Sequence, residues 1–283
     1  MLKVFGFVRR HPRLTHDEYR AAHVGYHNSF GRRLNGIRGY LLNVASNTAI
    51  ESAIGEALNH RLSWGAPDDF DEQWDGWGQL MFDTLEDYLS ARAPARDYPG
   101  PNGLQDDPMV AKVGGDFDDL YAGSPFQFHV DEHIVKTVRR PERKLFKLVQ
   151  FFKRKNDLPP ELFRAYLTGR YATLAASMPG LRGMTINIRT PIDVMSGFFA
   201  TDAEGFTPAG IKRREKFYES WDGMGELWFD AHDQFVSARD HGKLADDLLA
   251  LESTLFAGNF YREVDETVAV LPKRDPAPDF YHR

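Results

Sequence analysis

The sequence predicts an α+β protein built from two tandem ferredoxin-like repeats, each βαββαβ, closing into a dimeric α+β barrel within one chain. Three observations lead there. First, the chain repeats itself. LysValPheGlyPheVal at Lys3–Val8 returns as LysLeuPheLysLeuVal at Lys144–Val149, and GlyIleArgGly at Gly36–Gly39 returns as GlyLeuArgGly at Gly180–Gly183. TrpAspGlyTrpGly at Trp74–Gly78 returns as TrpAspGlyMetGly at Trp221–Gly225. Second, each copy reads strand, helix, strand, strand, helix, strand, the order of the split βαβ unit. Third, such a unit carries helices on one sheet face only, so the other face needs a cover, and a second copy supplies one.

The elements follow in order. Lys3–Arg10 is a short β-rich run that Pro12 ends. Thr15 with Glu18 forms a capping box for helix one, and Pro159 and Pro160 stand in the first turn of its second copy. Helix one carries Tyr19, Ala22, His23, Tyr26, His27, Phe30 and Leu34 at helical spacing. The second copy puts Phe163, Tyr166, Leu167, Tyr171, Leu174 and Met178 there. Strand two is Ile37–Val44 or Leu181–Ile188, and strand three is Trp77–Phe82 or Met224–Phe229. Between them lie long polar stretches, Ser46–Trp74 and Thr190–Trp221, without evident periodicity. Segments of that kind often serve as lids or site walls. Asp83 with Glu86, and Asp230 with Asp233, are placed to cap helix two. Strand four is Gln127–Lys136 or Phe260–Val270, and Pro272–Arg283 reads as an extended tail. The domain boundary falls near residue 140, giving 1–140 and 141–283.

Composition narrows the function. The 283 residues carry a formal net charge of −6 without a basic block, which argues against nucleic acid as partner. There is no cysteine, which excludes disulfides, thiolate metal sites and a cysteine nucleophile. No run approaches a membrane span and no signal peptide is evident, so the expected location is the cytoplasm. Nucleotide, flavin, serine-hydrolase and calcium motifs are missing.

Chemistry concentrates in the first copy. His23 and His27 lie four apart on the apolar stripe of helix one, where the second copy has Leu167 and Tyr171. A buried imidazole keeps a depressed pKa and stays a neutral base near pH 7. Such a group takes a proton beside a carbonyl and, once protonated, serves as the acid. Two imidazoles at this spacing can also chelate a metal, but no HisGluXXHis pattern or third ligand accompanies them, so no metal is expected. Tyr26 is placed to assist the pair. Aromatic side chains suit a planar substrate, and Tyr40 and Trp77 differ between copies (Met184 and Met224), as ligand contacts in one copy would. Arg9, aligned with Gln150, could steer an anion. His60 stands in the first polar stretch, from which it could reach a pocket. Asn43, matched by Asn187, is a further candidate substrate contact, although its repetition favours a role in satisfying buried polar groups.

These features resemble the EthD family of the dimeric α+β barrel superfamily. The residues that carry the resemblance are Arg9–Thr15, Tyr19–Arg20, His27, Gly36–Tyr40, Asp75–Gly76, Phe82–Asp83 and Val130–His133, with Asp222–Gly223, Phe229–Asp230 and Val264–Glu266 in the second copy. The resemblance implies a small-molecule enzyme that needs no cofactor, with His27 at the position of the family histidine. It also implies a homodimer. The expected activity is that of a lyase (dehydratase or cyclase) or isomerase acting on an aromatic or polyketide-like compound. Alternatives on the same fold are an oxygenase, cofactor-free or heme-dependent, and a non-catalytic protein that binds a hydrophobic small molecule.

Overall fold

In a computed structural model, residues 1–32, 34–91, 119–140, 143–199 and 201–272 are described. Eight antiparallel strands close into one barrel. They are β1 Leu2–Val8, β2 Gly39–Ala45, β3 Gly76–Phe82, β4 Phe126–Lys136, β5 Phe146–Arg154, β6 Gly183–Arg189, β7 Gly223–Phe229 and β8 Phe256–Val270. Their order around the barrel is β1-β3-β2-β8-β5-β7-β6-β4. The first four and the last four strands thus have the same internal order, and the pairs β2–β8 and β4–β6 join the two sets. Closure leaves neither set with an open edge.

Pairing corrects one detail of the repeat. Gly6 pairs with Gly78 and Gln150 pairs with Gly225. Gly78 and Gly225 are equivalent in the repeated TrpAspGly segments, so Gly6 corresponds to Gln150 and Lys3 to Lys147. The similar spelling at Lys144–Val149 is three residues out of step. An odd slip places every side chain on the wrong face, and burial of one face forbids it. Arg9 therefore corresponds to Lys153, not Gln150.

Helix one is α1 (His16–Ala21), a π-helical turn (Ala22–His27) and α2 (Asn28–Gly31). Thr15 and Glu18 form the expected capping box. The second half repeats the design with α6 (Pro160–Tyr166), a π-turn (Leu167–Tyr171) and α7 (Ala172–Ala176). Helix two, α5 (Leu85–Ser90), is capped by Thr84 with Asp87, one residue later than the Asp83–Glu86 pair. In α9 (His232–Asp240) no side chain caps the N-terminus, and Asp230 instead meets Arg143 at 2.9 Å and Arg182 at 3.3 Å. Two further helices in the second half are α8 (Pro208–Glu219) and α10 (Lys243–Leu255). Most of the tail, from residue 273 on, lies outside the described residues.

The long polar connections exchange halves. α3 (Ile50–Ile54) and α4 (Glu56–Leu62) carry Ile50, Ile54, Leu58 and Leu62 into the second half's helical layer, against Phe163, Leu167 and Phe256. In return Val194 and Phe198 enter the first half's layer, against Leu34, Tyr40 and Tyr88. The apolar spacing of four in Ile50, Ile54, Leu58 and Leu62 was the signal for α3 and α4. Gly55, at φ 89°, breaks the run into two short helices.

The barrel is filled, not hollow. Phe5, Phe7, Trp77, Phe128, Phe151 and Phe260 pack inside it, with Phe70, Trp74, Phe217 and Trp221 in the same cluster. Phe7 and Trp77 stack at 4.8 Å. Beyond the aromatic core lies a charged layer. Lys3 donates to Glu132, Asn187 and Glu226, and Lys147 donates to Asn43, Glu226 and Glu266, all within 3.0 Å. Both lysines are buried and each spends its three donors on this layer.

Candidate active site

Strand alternation sends Gly6, Val8, Tyr40, Gly78, Leu80 and Gln127 to the outer face of the first four strands, beneath helix one. Gly6 and Gly78 face each other across β1 and β3. Two missing side chains at adjacent positions leave a hollow. Tyr40 fills part of it, its ring lying so close to helix one that a Cβ on Gly31 would come within 2.5 Å of it. The remaining cavity holds about 60 Å³ and is lined on the helix side by His23, His27, Gly31 and Leu34. Tyr121 and Pro125 close one flank, and Phe198, delivered from the second half, closes another.

The π-turn shapes the helix side. Its widened i→i+5 turn sets residues four apart nearly above one another, a distortion frequent at functional sites. The rings of His23 and His27 stack at 5.6 Å with 8° between their planes. Tyr19 continues the stack on His23 at 5.2 Å. The Tyr121 hydroxyl lies 2.7 Å from His23 Nδ1, and its ring presents an edge to both imidazoles. His23 Nε2 is buried and has no hydrogen-bond partner in the protein. Burial, and secondarily the neighbouring His27, hold the His23 pKa well below the ordinary imidazole value. Burial and then Asp75 push the Tyr19 hydroxyl well above the phenol range. The pair is thus a neutral His23 locked by Tyr121 beside a half-buried His27 that lines the cavity.

One consequence concerns stability. His23 takes up a proton less readily folded than unfolded. Its contribution is therefore complete above the ordinary value of 6.5 and declines as the pH falls below it. His23→Leu, the side chain found in the second half, is expected to flatten the loss of Tm between about pH 7 and pH 5, measured by thermal unfolding at several pH values.

Of the sequence candidates, His23, His27 and Tyr40 meet at this cavity. The others stand elsewhere. Tyr26 is 41% exposed on the outward side of the helix. Trp77 alternates to the barrel interior, stacked on Phe7. Asn43 also points inward, accepting from Lys147 Nζ at 2.7 Å. Arg9 is exposed at the end of β1, and His60 is exposed on α4, which covers the second half and not this pocket. Tyr121, Gln127, Phe198, Gly6 and Gly78 were missed. The loss of a side chain at Gly6 is visible only when it is compared with Gln150, and the slipped alignment hid that comparison.

The second half fills the equivalent space. Gln150 stands in the place of Gly6, Tyr171 in that of His27, and Tyr261 in that of Gln127. Tyr171 donates to Gln150 Oε1 at 2.8 Å and to Glu252 at 3.1 Å, and Gln150 Nε2 donates to Asn259 at 2.7 Å. Arg239 closes the network on Glu252 at 2.6 and 2.9 Å. Every one of these side chains is buried. Gly6→Gln should therefore copy the plug into the first half. The Cβ at Gly6 meets only ordinary contacts, the nearest 3.5 Å away on Gln127. The expected outcome is a folded protein that has lost ligand binding and turnover, checked by circular dichroism and by calorimetric titration with any compound it turns over.

Residues 155–257 match the model of the EthD domain. That stretch belongs to the half whose pocket is filled. Among solved structures, a "putative monooxygenase" from Fusobacterium nucleatum superposes with TM-score 0.53 at 10% identity, covering 94% of this chain and 92% of that one. An "anthrone oxidase-like protein" superposes with TM-score 0.52 at 10% identity, covering 96% of each chain. No curated protein matches the sequence. Identities this low establish the shared barrel fold and nothing about chemistry.

Proposed function

Because residues 155–257 match the EthD domain and the strands close into an eight-stranded α+β barrel, we propose that the chain is a small-molecule enzyme whose site is the first-half cavity, with His27 as acid and base. In this reading residues 1–140 and 141–283 are tandem ferredoxin-like copies, the second kept as a partner that closes the barrel and lends Phe198. The observation that carries it is the contrast between halves: stacked imidazoles and two facing glycines on one side, a hydrogen-bonded plug on the other.

The first reading is a lyase or isomerase. Neutral His27 takes a proton from the carbon beside a carbonyl, and the electron pair moves into an enolate. Protonated His27 then gives that proton to a departing hydroxyl, which leaves as water. Given to another carbon instead, the same proton yields an isomer. His23 and Tyr121 position His27 through the stack and the edge contacts. A cavity of about 60 Å³ admits a few waters, so Phe198 must swing aside for an aromatic or polyketide-like substrate.

The second reading is an oxygenase, favoured by the names of the two structural neighbours. The first step is shared: the deprotonated substrate would transfer electrons to O2 instead of expelling water. A porphyrin does not fit a cavity of about 60 Å³ in which His23 is packed between Tyr19 and His27. Incubation with hydroxyaromatic ketones under air and under argon separates the readings. Turnover that persists under argon supports the lyase or isomerase, oxygen uptake matched to product supports the oxygenase, and binding without turnover removes both. Pairing of two chains belongs to the same proposal and is checked by light scattering. Among the described residues, no helix is long and apolar enough to cross a membrane.

A further inference from the structure

At the charged end of the barrel lies a second cavity of about 190 Å³, unconnected with the imidazoles. Its floor is the buried layer around Lys3 and Glu226, and its walls include Leu41, Met81, Ile134 and Trp228. The charges of the floor consume one another. Lys3 and Lys147 spend every N–H on Glu132, Glu226, Glu266, Asn43 and Asn187. Glu226 accepts from both lysines and from Gln79, Thr185 and Asn187. Arg140 closes the set on Glu266 at 2.7 Å. Three cations thus face three carboxylates.

What remains unspent is neutral. Gln79 is fully buried and its Oε1 has no partner in the protein. Its amide cannot turn round, because Nε2 already donates to the Glu226 carboxylate. Trp228, 3% exposed, likewise carries an Nε1–H without a partner. Both residues line the cavity, so its apolar walls adjoin one unmatched acceptor and one unmatched donor. A buried polar atom left unmatched is costly, so a molecule that meets both gains what the fold leaves open.

We propose that this barrel-mouth cavity binds a small uncharged molecule with an apolar body, a hydroxyl that donates to Gln79 Oε1 and a carbonyl or ether oxygen that accepts from Trp228. A charged ligand is disfavoured because the floor is already balanced and a bare ion would enter it unpaired.

Calorimetric titration with 4-hydroxyacetophenone, and with benzoate as an anion of similar size, tests this on the intact chain. The expected result is saturable binding of the ketone and much weaker binding of benzoate. Gln79→Leu and Trp228→Phe should each weaken the ketone about ten-fold, the loss of one buried hydrogen bond. Trp228→Phe keeps an aromatic ring beneath Arg140 and serves if Gln79→Leu does not fold. His27→Ala should leave unchanged the part of the ketone binding that Trp228→Phe weakens. Absence of saturable binding, benzoate binding as tightly as the ketone, or sensitivity to His27→Ala with insensitivity to Trp228→Phe would each overturn the proposal.

Discussion

Replacement of His27 by alanine is expected to lower turnover by about 100-fold or more while the circular dichroism spectrum stays that of the parent. His27 is the half-buried member of the stack, whereas His23, which also lines the cavity, is buried and held by Tyr121. Loss of His27 removes the group proposed to carry a proton. Loss of His23 removes only its support, so His23→Leu should cost less and act mainly through stability. A rate in His27→Ala within a factor of two of the parent would remove the residue from the mechanism.

The second large effect is structural. Glu226→Leu is expected to destabilise the fold by about 3–5 kcal/mol, the cost of leaving buried charges without their partner. Both lysines converge on this carboxylate, at 3.0 and 2.7 Å, inside the barrel. Burial alone would raise the Glu226 pKa, but Lys147 and Lys3 outweigh it and hold the carboxyl well below its ordinary value. Because the folded chain binds this proton less readily than the unfolded one, the contribution is complete above the ordinary value of 4.5 and is lost as the pH falls beneath it. Denaturant unfolding at pH 7 and pH 3.5 measures both. The gap between parent and variant should be wide at pH 7 and narrower at pH 3.5, and a constant gap would rule out the ionic origin.

Much of this architecture was legible in the sequence because it rests on local patterns. The β-rich run at Lys3–Arg10, the Thr15–Glu18 box and the repeated TrpAspGly segments each have a short-range cause, and they led to the eight strands, helix one and the closed barrel. The His pair was legible for a related reason: two titratable residues on an apolar stripe stand out against Leu167 and Tyr171. Less visible was whatever depends on which strand face a residue takes after pairing. Trp77 and Asn43 looked like ligand contacts, yet one-residue alternation turns both inward. The Lys144–Val149 match followed similar spelling, whereas the ladder partners Gly225 and Gly223 fix the register three residues later. Exchange of the long connections was also hidden. Nothing local in Phe198 says that it will wall the other half's pocket, and His60 left its expected place because α4 crosses in the opposite direction.

The most direct measurement is a crystal structure of the protein soaked with a compound it turns over. One molecule per chain should lie in the first-half cavity, with its reacting carbon within about 3.5 Å of a His27 ring nitrogen and Phe198 swung away from Tyr88. Reacting substrate found against Tyr171 and Gln150 in the second half, or far from both imidazoles, would contradict the assignment of the site.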